Sequence, residues 1–246
     1  MNKDPLTTRM KEFYENRTKT FLPRRTYTII RLDGKAFHTY TKGLNKPFDE
    51  GLISDMNNTA IELCKSIQGA KLAYVQSDEI TVVVTDFDNI NTSAWFDGSV
   101  QKIVSVSASI ATAVFNQLRV KRDIKNINKL AFFDSRAFTI PSQMEVINNL
   151  IWRQYDCIRN SIQALAQVYY NHKELNEKNQ LEMLDMCYNA HHSWEMLPHD
   201  QKQGRLIVRK VDNSTPIKKP VWTIISAPKF NTEECIETLK KIILSY

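Results

Sequence analysis

Tyr27-Thr28-Ile29-Ile30-Arg31-Leu32-Asp33-Gly34, then Lys71-Leu72-Ala73-Tyr74-Val75-Gln76-Ser77-Asp78-Glu79-Ile80-Thr81-Val82-Val83-Val84, decide how this chain folds. The first stretch is rich in β-branched and aromatic residues and stops at Asp-Gly. The second is two such runs joined by a tight polar turn. Between them Asp49 is a good helix N-cap. Leu52, Ile53, Met56, Ala60, Leu63, Cys64 and Ile67 follow at helical spacing, and Gly69 is placed to close the helix as its C′ glycine.

Working outward, Val100, Ile103, Val104, Ala111, Val114, Phe115 and Leu118 mark a second amphipathic helix. Leu130-Ala131-Phe132-Phe133-Asp134 begins a fourth strand that continues towards Ile140. The order over residues 26–140 is β-α-β-β-α-β. This predicts an α+β fold with a ferredoxin-like antiparallel sheet, the arrangement of polymerase and nucleotidyl cyclase palms. Residues 7–20 predict a short helix ahead of it. Beyond it, Ser142-Gln143-Met144-Glu145 has the capping-box pattern. A long helix to about Tyr170 follows, with Ile147, Leu150, Ile151, Ile158, Ile162 and Leu165 inward. A short helix ending near Tyr188, strands at Arg205–Val208 and Val221–Ile225, and a helix from about Thr232 complete the chain. The expected organisation is a palm with its N-terminal helix over residues 1–140. A C-terminal helical and strand extension over 141–246 packs on it as one structural unit.

Among 246 residues, 42% hydrophobic and 24% charged residues with only 6 Gly and 8 Pro exclude wholesale disorder and long flexible linkers. The formal net charge of +6 suits a polyanionic partner. Cys64, Cys157, Cys187 and Cys235 form no C-x-x-C pair, which argues against a zinc ribbon or redox motif and for buried free thiols. The polar, charged first residues predict no signal peptide. No apolar run is expected to reach the roughly 20 residues of a membrane helix, so the reading is cytoplasmic with no membrane partner. His191-His192 lacks a third ligand at sensible spacing. No P-loop, G-x-G-x-x-G or G-x-S-x-G motif is present.

Chemistry is concentrated at Asp33 and Asp78. In a ferredoxin-like sheet the first and third strands are neighbours, so these carboxylates converge. With the Gly34 carbonyl they can hold a pair of Mg²⁺ ions, which take hard oxygen donors and few protein carboxylates. Each segment also reads as ordinary turn punctuation, and that alternative stays open. Glu79 should face away from Asp78 and support the site. Lys35, Lys46, Lys102 and Arg136 are candidate phosphate clamps, with Lys102 near a helix N-terminus. Ser77 can donate to a phosphate oxygen, and Phe37 either stacks on a base or joins the core. Basic clusters at Arg17/Lys19/Arg24/Arg25, Arg119/Lys121/Arg122/Lys125 and Arg205/Arg209/Lys210 suit RNA as well as solvated helices.

Ile30-Arg31-Leu32-Asp33-Gly34-Lys35-Ala36-Phe37-His38, Lys46-Pro47 and Ala73-Tyr74-Val75-Gln76-Ser77-Asp78-Glu79 closely resemble the tRNA-His guanylyltransferase superfamily. Phe133-Asp134-Ser135-Arg136-Ala137 and Trp152-Arg153-Gln154-Tyr155-Asp156-Cys157 continue the match in order. The resemblance implies 3′-to-5′ nucleotide addition to tRNA. The 5′ end is activated, by ATP or by an existing triphosphate, and the 3′-hydroxyl of an incoming triphosphate such as GTP then attacks it. It implies Asp33, Gly34 and Asp78 as metal ligands and Glu79 as essential in the same site. It also implies Lys35, Ala36, Phe37, His38, Lys46, Ser77, Lys102 and Arg136 as nucleotide or phosphate contacts. Arg153, Arg159, Lys202 and Arg205 are candidate tRNA contacts, and a homo-tetramer is implied. Members specific for tRNA-His carry a His-Ile-Asn-Asn-like run where this chain has Ile158-Arg159-Asn160-Ser161. The segment Leu197–Gly204 resembles the guanylyltransferase-like proteins instead. These departures favour template-directed repair of 5′-truncated tRNAs over guanylate addition to tRNA-His alone. A nucleotidyl cyclase and a non-catalytic RNA-binding module are the remoter alternatives.

Overall fold

A computed structural model describes residues 4–122, 129–211 and 219–244. In chain order the helices and strands are α1 (Pro5–Phe13), β1 (Tyr27–Gly34), α2 (Phe37–Tyr40), α3 (Glu50–Ser66), β2 (Ala70–Gln76), β3 (Glu79–Val84), α4 (Val100–Arg122) and β4 (Phe133–Ile140). There follow α5 (Gln143–Tyr169), α6 (His172–Leu175), α7 (Gln180–Asn189), α8 (His199–Gln203), β5 (Arg205–Val211), β6 (Pro220–Ser226) and α9 (Glu233–Leu244). Six strands form one sheet in the order β4-β1-β3-β2-β5-β6, each pair antiparallel. The first four have the ferredoxin-like arrangement, and β5 and β6 lengthen the sheet beyond β2.

Strand alternation sorts side chains onto two cores. Ile30 and Leu32 of β1 pack with Met56, Ala60 and Leu63 of α3 and with Ala111 and Phe115 of α4. Ile29, Leu72 and Val83 pack on the other face with Ile147 and Leu150 of α5 and with Leu239 and Ile243 of α9. Arg31 and Asp33 therefore lie on the α5 face. All four cysteines are free and buried, and burial pushes the Cys64 thiol up to about 12.

Several boundaries differ from the sequence reading. Asp49 does cap α3, its Oδ1 accepting from the Leu52 N–H at 2.8 Å. However, α3 ends at Ser66 with Ile67 extended, so Gly69 is not its C′ residue. Gly69 instead turns the chain into β2 at φ +82°, where a Cβ would lie 2.1 Å from the Thr85 carbonyl oxygen. The strand expected from Leu130 begins at Phe133. Upstream of it the backbone of Ala131 is satisfied in both directions by the Asn116 amide, each at 2.9 Å, in place of a neighbouring strand. The N-terminal helix stops at Phe13 and gives way to a 3-10 turn over Glu15–Thr18. Contrary to expectation, α4 is 23 residues long and apolar enough on average to cross a bilayer. Here it lays a stripe of Ile103, Ser107, Ala111 and Phe115 against the sheet and α3.

Gly69→Ala tests the turn. It should lower stability by more than about 1 kcal/mol, because the backbone is left-handed and the added methyl meets a carbonyl. Urea denaturation of the variant beside the parent measures this, and an unchanged midpoint would contradict it.

Candidate active site

β1 and β3 pair in a register that sets Asp33 opposite Glu79, and β1 and β4 in one that sets Asp33 opposite Asp134. Directly opposed residues share a face, so Asp33, Glu79 and Asp134 sit side by side on the α5 face at one end of the sheet. The two-residue turn Ser77-Asp78 closes that end. Ser77 is left-handed at φ +46°, and the Gly34 N–H donates to the Asp78 carbonyl at 3.2 Å. This bond ties the turn to the end of β1 and brings Asp78 to Asp33. A Cβ on Gly34 would fall 2.3 Å from the Phe37 ring, so glycine is required there by packing.

Burial first, and the Asp33 charge next, push the Asp78 carboxyl up to about 6. The Ser77 hydroxyl, donating to Asp78 Oδ1 at 3.0 Å, opposes this. A buried carboxylate held beside a second one marks a site where a cation relieves repulsion. No group of three or more His, Cys, Asp or Glu side chains suited to a metal occurs among the described residues. Asp33, Asp78 and the Gly34 carbonyl offer hard oxygen donors of the kind that suit Mg²⁺ with substrate phosphates completing the shell.

Glu79 turns towards α5. Its Oε1 accepts from Arg153 Nε at 2.8 Å and from the Thr81 hydroxyl at 3.2 Å, while its Oε2 accepts from Arg153 Nη2. Arg153 Nη2 also donates to Asp156 at 2.7 Å, and Asp156 in turn pairs with Arg159. One turn of α5 is thus braced onto the strand carrying the site. Gln154 adds a second brace, donating to the Pro228 carbonyl at 2.8 Å and accepting from the Phe230 N–H at 2.9 Å. The sequence reading missed these braces. Their signal is the Arg153/Asp156 spacing of three on a helix facing a lone strand glutamate.

A cleft of about 230 Å³ opens beside the turn. Its walls include Leu44, Pro47, Phe48, Leu52 and Ile53 on one side and Cys157, Asn160 and Ala164 of α5 on the other, with Ser77 near the carboxylates. Of the candidate contacts, Ser77 and Lys46 line this cleft. Lys35, Ala36 and His38 are exposed on the segment that follows Gly34, and Arg136 is exposed on the α5 face, two residues from Asp134.

Other candidates are placed elsewhere. Phe37 is buried among Tyr40, Phe115 and Phe133, so it is a core residue and its ring cannot stack on a base. Along α4, Ser107 meets Ser135 and Thr112 meets the Phe133 N–H. Lys102 lies ten residues before Thr112, about 15 Å along the axis, and does not join the carboxylates within one chain. Arg153 and Arg205 are buried, not surface tRNA contacts: Arg153 is bonded to Glu79, and Arg205 Nε donates to Asn57 of α3. Lys202 is drawn onto the Trp194 ring, with its Nζ at 5.0 Å, and donates to the Glu195 carbonyl. Arg159 remains exposed beside Asp156.

Two of the basic clusters are also largely spent internally. Arg24 pairs with Asp86 at 2.7 Å, and Arg119 and Arg122 both clamp the buried Asp55. Lys125 lies outside the described residues. His192 stacks on Tyr169 at 3.8 Å.

A palm-type sheet with two converging carboxylates at the end of its central strands, beside an open cleft, is the arrangement of a nucleotidyltransferase. A family model described as tRNAHis guanylyltransferase matches residues 7–141. The chain belongs to this family. A bacterial tRNA(His) guanylyltransferase-like protein solved in complex with ATP superposes at TM-score 0.88 with 39% identity, covering 98% of this chain and all of the other. A second structure, in complex with GTP, gives 0.83, 38% identity, and 98% and 99% coverage. An uncharacterised protein of Acanthamoeba polyphaga mimivirus is 28% identical over 89% of this chain and 82% of its own length. The tRNA(His) guanylyltransferase of Schizosaccharomyces pombe is 32% identical over 56% of this chain, and the match spans only 51% of that enzyme.

The raised Asp78 carboxyl gives a signed pH prediction for the metal-free protein. Its cost to the fold is absent below the unfolded value near 3.8, grows as pH rises, and is complete above about 6. Asp78→Asn should therefore raise metal-free stability above pH 6 by on the order of 1 kcal/mol, with the gain vanishing near pH 4. Thermal melts in chelator across pH read this out, and a gain that persists at pH 4 would contradict it. Arg153→Ala should cost about 3–5 kcal/mol by leaving Glu79 buried without its cation. Denaturant titration measures it, and a loss below 1 kcal/mol would show the brace to be dispensable.

Proposed function

We propose that the chain is a template-directed 3′-to-5′ polymerase that repairs the 5′ ends of truncated tRNAs, using nucleoside triphosphates and Mg²⁺. The observation that carries the reading is the convergence of Asp33 and Asp78 beside the Ser77 end of the cleft. Asp33, Asp78 and the Gly34 carbonyl would hold the metal. When bound there, Mg²⁺ neutralises triphosphate charge and makes a sugar hydroxyl easier to deprotonate.

The incoming nucleotide's 3′-hydroxyl would release its proton to solvent as its oxygen forms a bond to the activated 5′ phosphorus. The bond to the activating group breaks, and that group leaves with the electron pair. Lys35 and Arg136, exposed near the carboxylates, and Lys46 in the cleft would steady the phosphates. Glu79 would act by holding its strand through Arg153. The relatives solved with ATP and GTP support nucleotide substrates.

Two features favour repair over guanylate addition to tRNA-His. The segment Ile158–Ser161 lacks the His-Ile-Asn-Asn-like run. Within it Ser161 is committed to the fold, accepting from the Trp194 indole N–H at 2.9 Å. A homo-tetramer in the cytoplasm belongs to the same reading. Leu6, Met10 and Phe13, exposed on α1, offer apolar surface for assembly.

Extension of 5′-labelled, 5′-truncated tRNAs with each nucleotide in turn tests the proposal. Addition should follow the base opposite the gap across several tRNAs. Asp78→Ala should reduce it at least ~100-fold while retaining tRNA binding in a filter assay. Addition of G to tRNA-His alone, whatever the opposing base, would replace repair by the specific guanylyltransferase activity. Cyclic nucleotide made without RNA would replace both.

A further inference from the structure

Along α5, Trp152, Tyr155 and Arg159 recur at helical spacing and stand exposed. Trp152 is 52% exposed and Tyr155 54% exposed. This stripe lies on another side of the helix from Cys157, Asn160 and Ala164, which wall the cleft. Two guanidinium groups approach the Trp152 ring, Arg31 at 5.4 Å and Arg153 at 4.5 Å from its centroid. Arg153 is committed to Glu79 and Asp156. The Arg31 side chain has no carboxylate or hydrogen-bond partner among the described residues, and its one charge contact is the indole.

Arg31 and Asp33 share the α5 face of β1, two residues and about 7 Å apart. Arg31 is opposed across the sheet by Arg136 of β4. The carboxylates therefore have the cleft on the flank towards β2 and an indole with Arg31 and Arg136 on the flank towards β4. A single exposed aromatic needs no explanation. Here the ring stands beside a cation with no acid of its own, so a stacking surface and a phosphate donor are presented together. That combination suits unpaired nucleic acid, in which bases stack on rings whatever their sequence and cations hold the backbone. An apolar protein partner would instead bury Arg31 without a counter-charge.

We infer that Trp152 is the stacking platform for the unpaired template base, with Arg31 holding a phosphate beside it. The inference deepens the repair reading and rests on it. A 5′-truncated tRNA carries 3′-strand bases that have lost their partners, and the carboxylates receive that strand from the flank the cleft does not occupy. A platform indifferent to base identity suits a site where pairing chooses the nucleotide, since every template base must be accepted. Trp152 is a positioning residue and takes no part in making or breaking bonds.

Equilibrium titration of the full chain with a 5′-truncated tRNA, and with the same tRNA intact, tests this by filter binding and tryptophan fluorescence. Trp152→Leu should weaken the truncated tRNA roughly tenfold. The intact tRNA, whose template bases are paired, should weaken by less than about twofold. Trp152→Phe should keep most of the affinity while losing the fluorescence quench that the truncated tRNA causes in the parent. Arg31→Gln should lower the slope of log affinity against log salt by about one. If Trp152→Leu does not fold, as judged by its thermal melt, the Trp152→Phe quench and the Arg31→Gln slope decide. A loss shared equally by both tRNAs, or no loss for the truncated one, would overturn the inference. So would a changed mass of Trp152→Leu in light scattering, which would assign this face to contact between copies of the chain. The repair reading is judged separately, by template-matched addition in the parent. If that addition is absent while the differential loss holds, repair falls and the platform for unpaired RNA stands.

Discussion

The pairing of β1 with β3 is the constraint on which the site depends. Its register sets Asp33 against Glu79 and lets the Gly34 N–H reach the Asp78 carbonyl. A slip of one residue would turn Asp33 onto the α3 and α4 core and bring Leu32 out beneath α5. The register is held by burial on both faces. Ile30 and Leu32 are locked into one core and Ile29 into the other, so no shifted pairing keeps all three dry. The acidic site inherits its accuracy from apolar residues that touch no substrate.

Two carboxylates brought together in this way oppose the fold, and the structure answers with braces placed one layer out. Glu79, opposite Asp33, adds a third negative charge, but Arg153 takes it up from α5. Asp156 then balances the second side of Arg153, and Arg159 lies beyond it. Charge alternates outward along α5, while the repulsion between Asp33 and Asp78 remains at its inner end. That remaining repulsion is the kind a divalent cation relieves.

Much of this was legible in the sequence, for identifiable reasons. The period-two runs of β1, β2 and β3 and the Asp49 cap follow local rules, and the strand order then puts β1 beside β3. Asp33, Gly34 and Asp78 were findable because they sit at strand ends that local rules define. What misled were residues whose role is set by distant packing. Phe37 looks like a base platform until Phe115 and Phe133 close over it. Arg205 looks like a surface cation until Asn57 of α3 and Asp200 of α8 enclose it. Lys102 is at a helix start as expected, yet the direction of α4 along β4 carries it away from the carboxylates. Charge patterning cannot tell Arg119 and Arg122, which clamp Asp55, from cations facing solvent.

The crowded carboxylates raise the free energy of the empty protein, since burial and the Asp33 charge both disfavour the ionised form of Asp78. A cation bound between them would remove that cost, so the stability of the fold and the occupancy of the site would be linked.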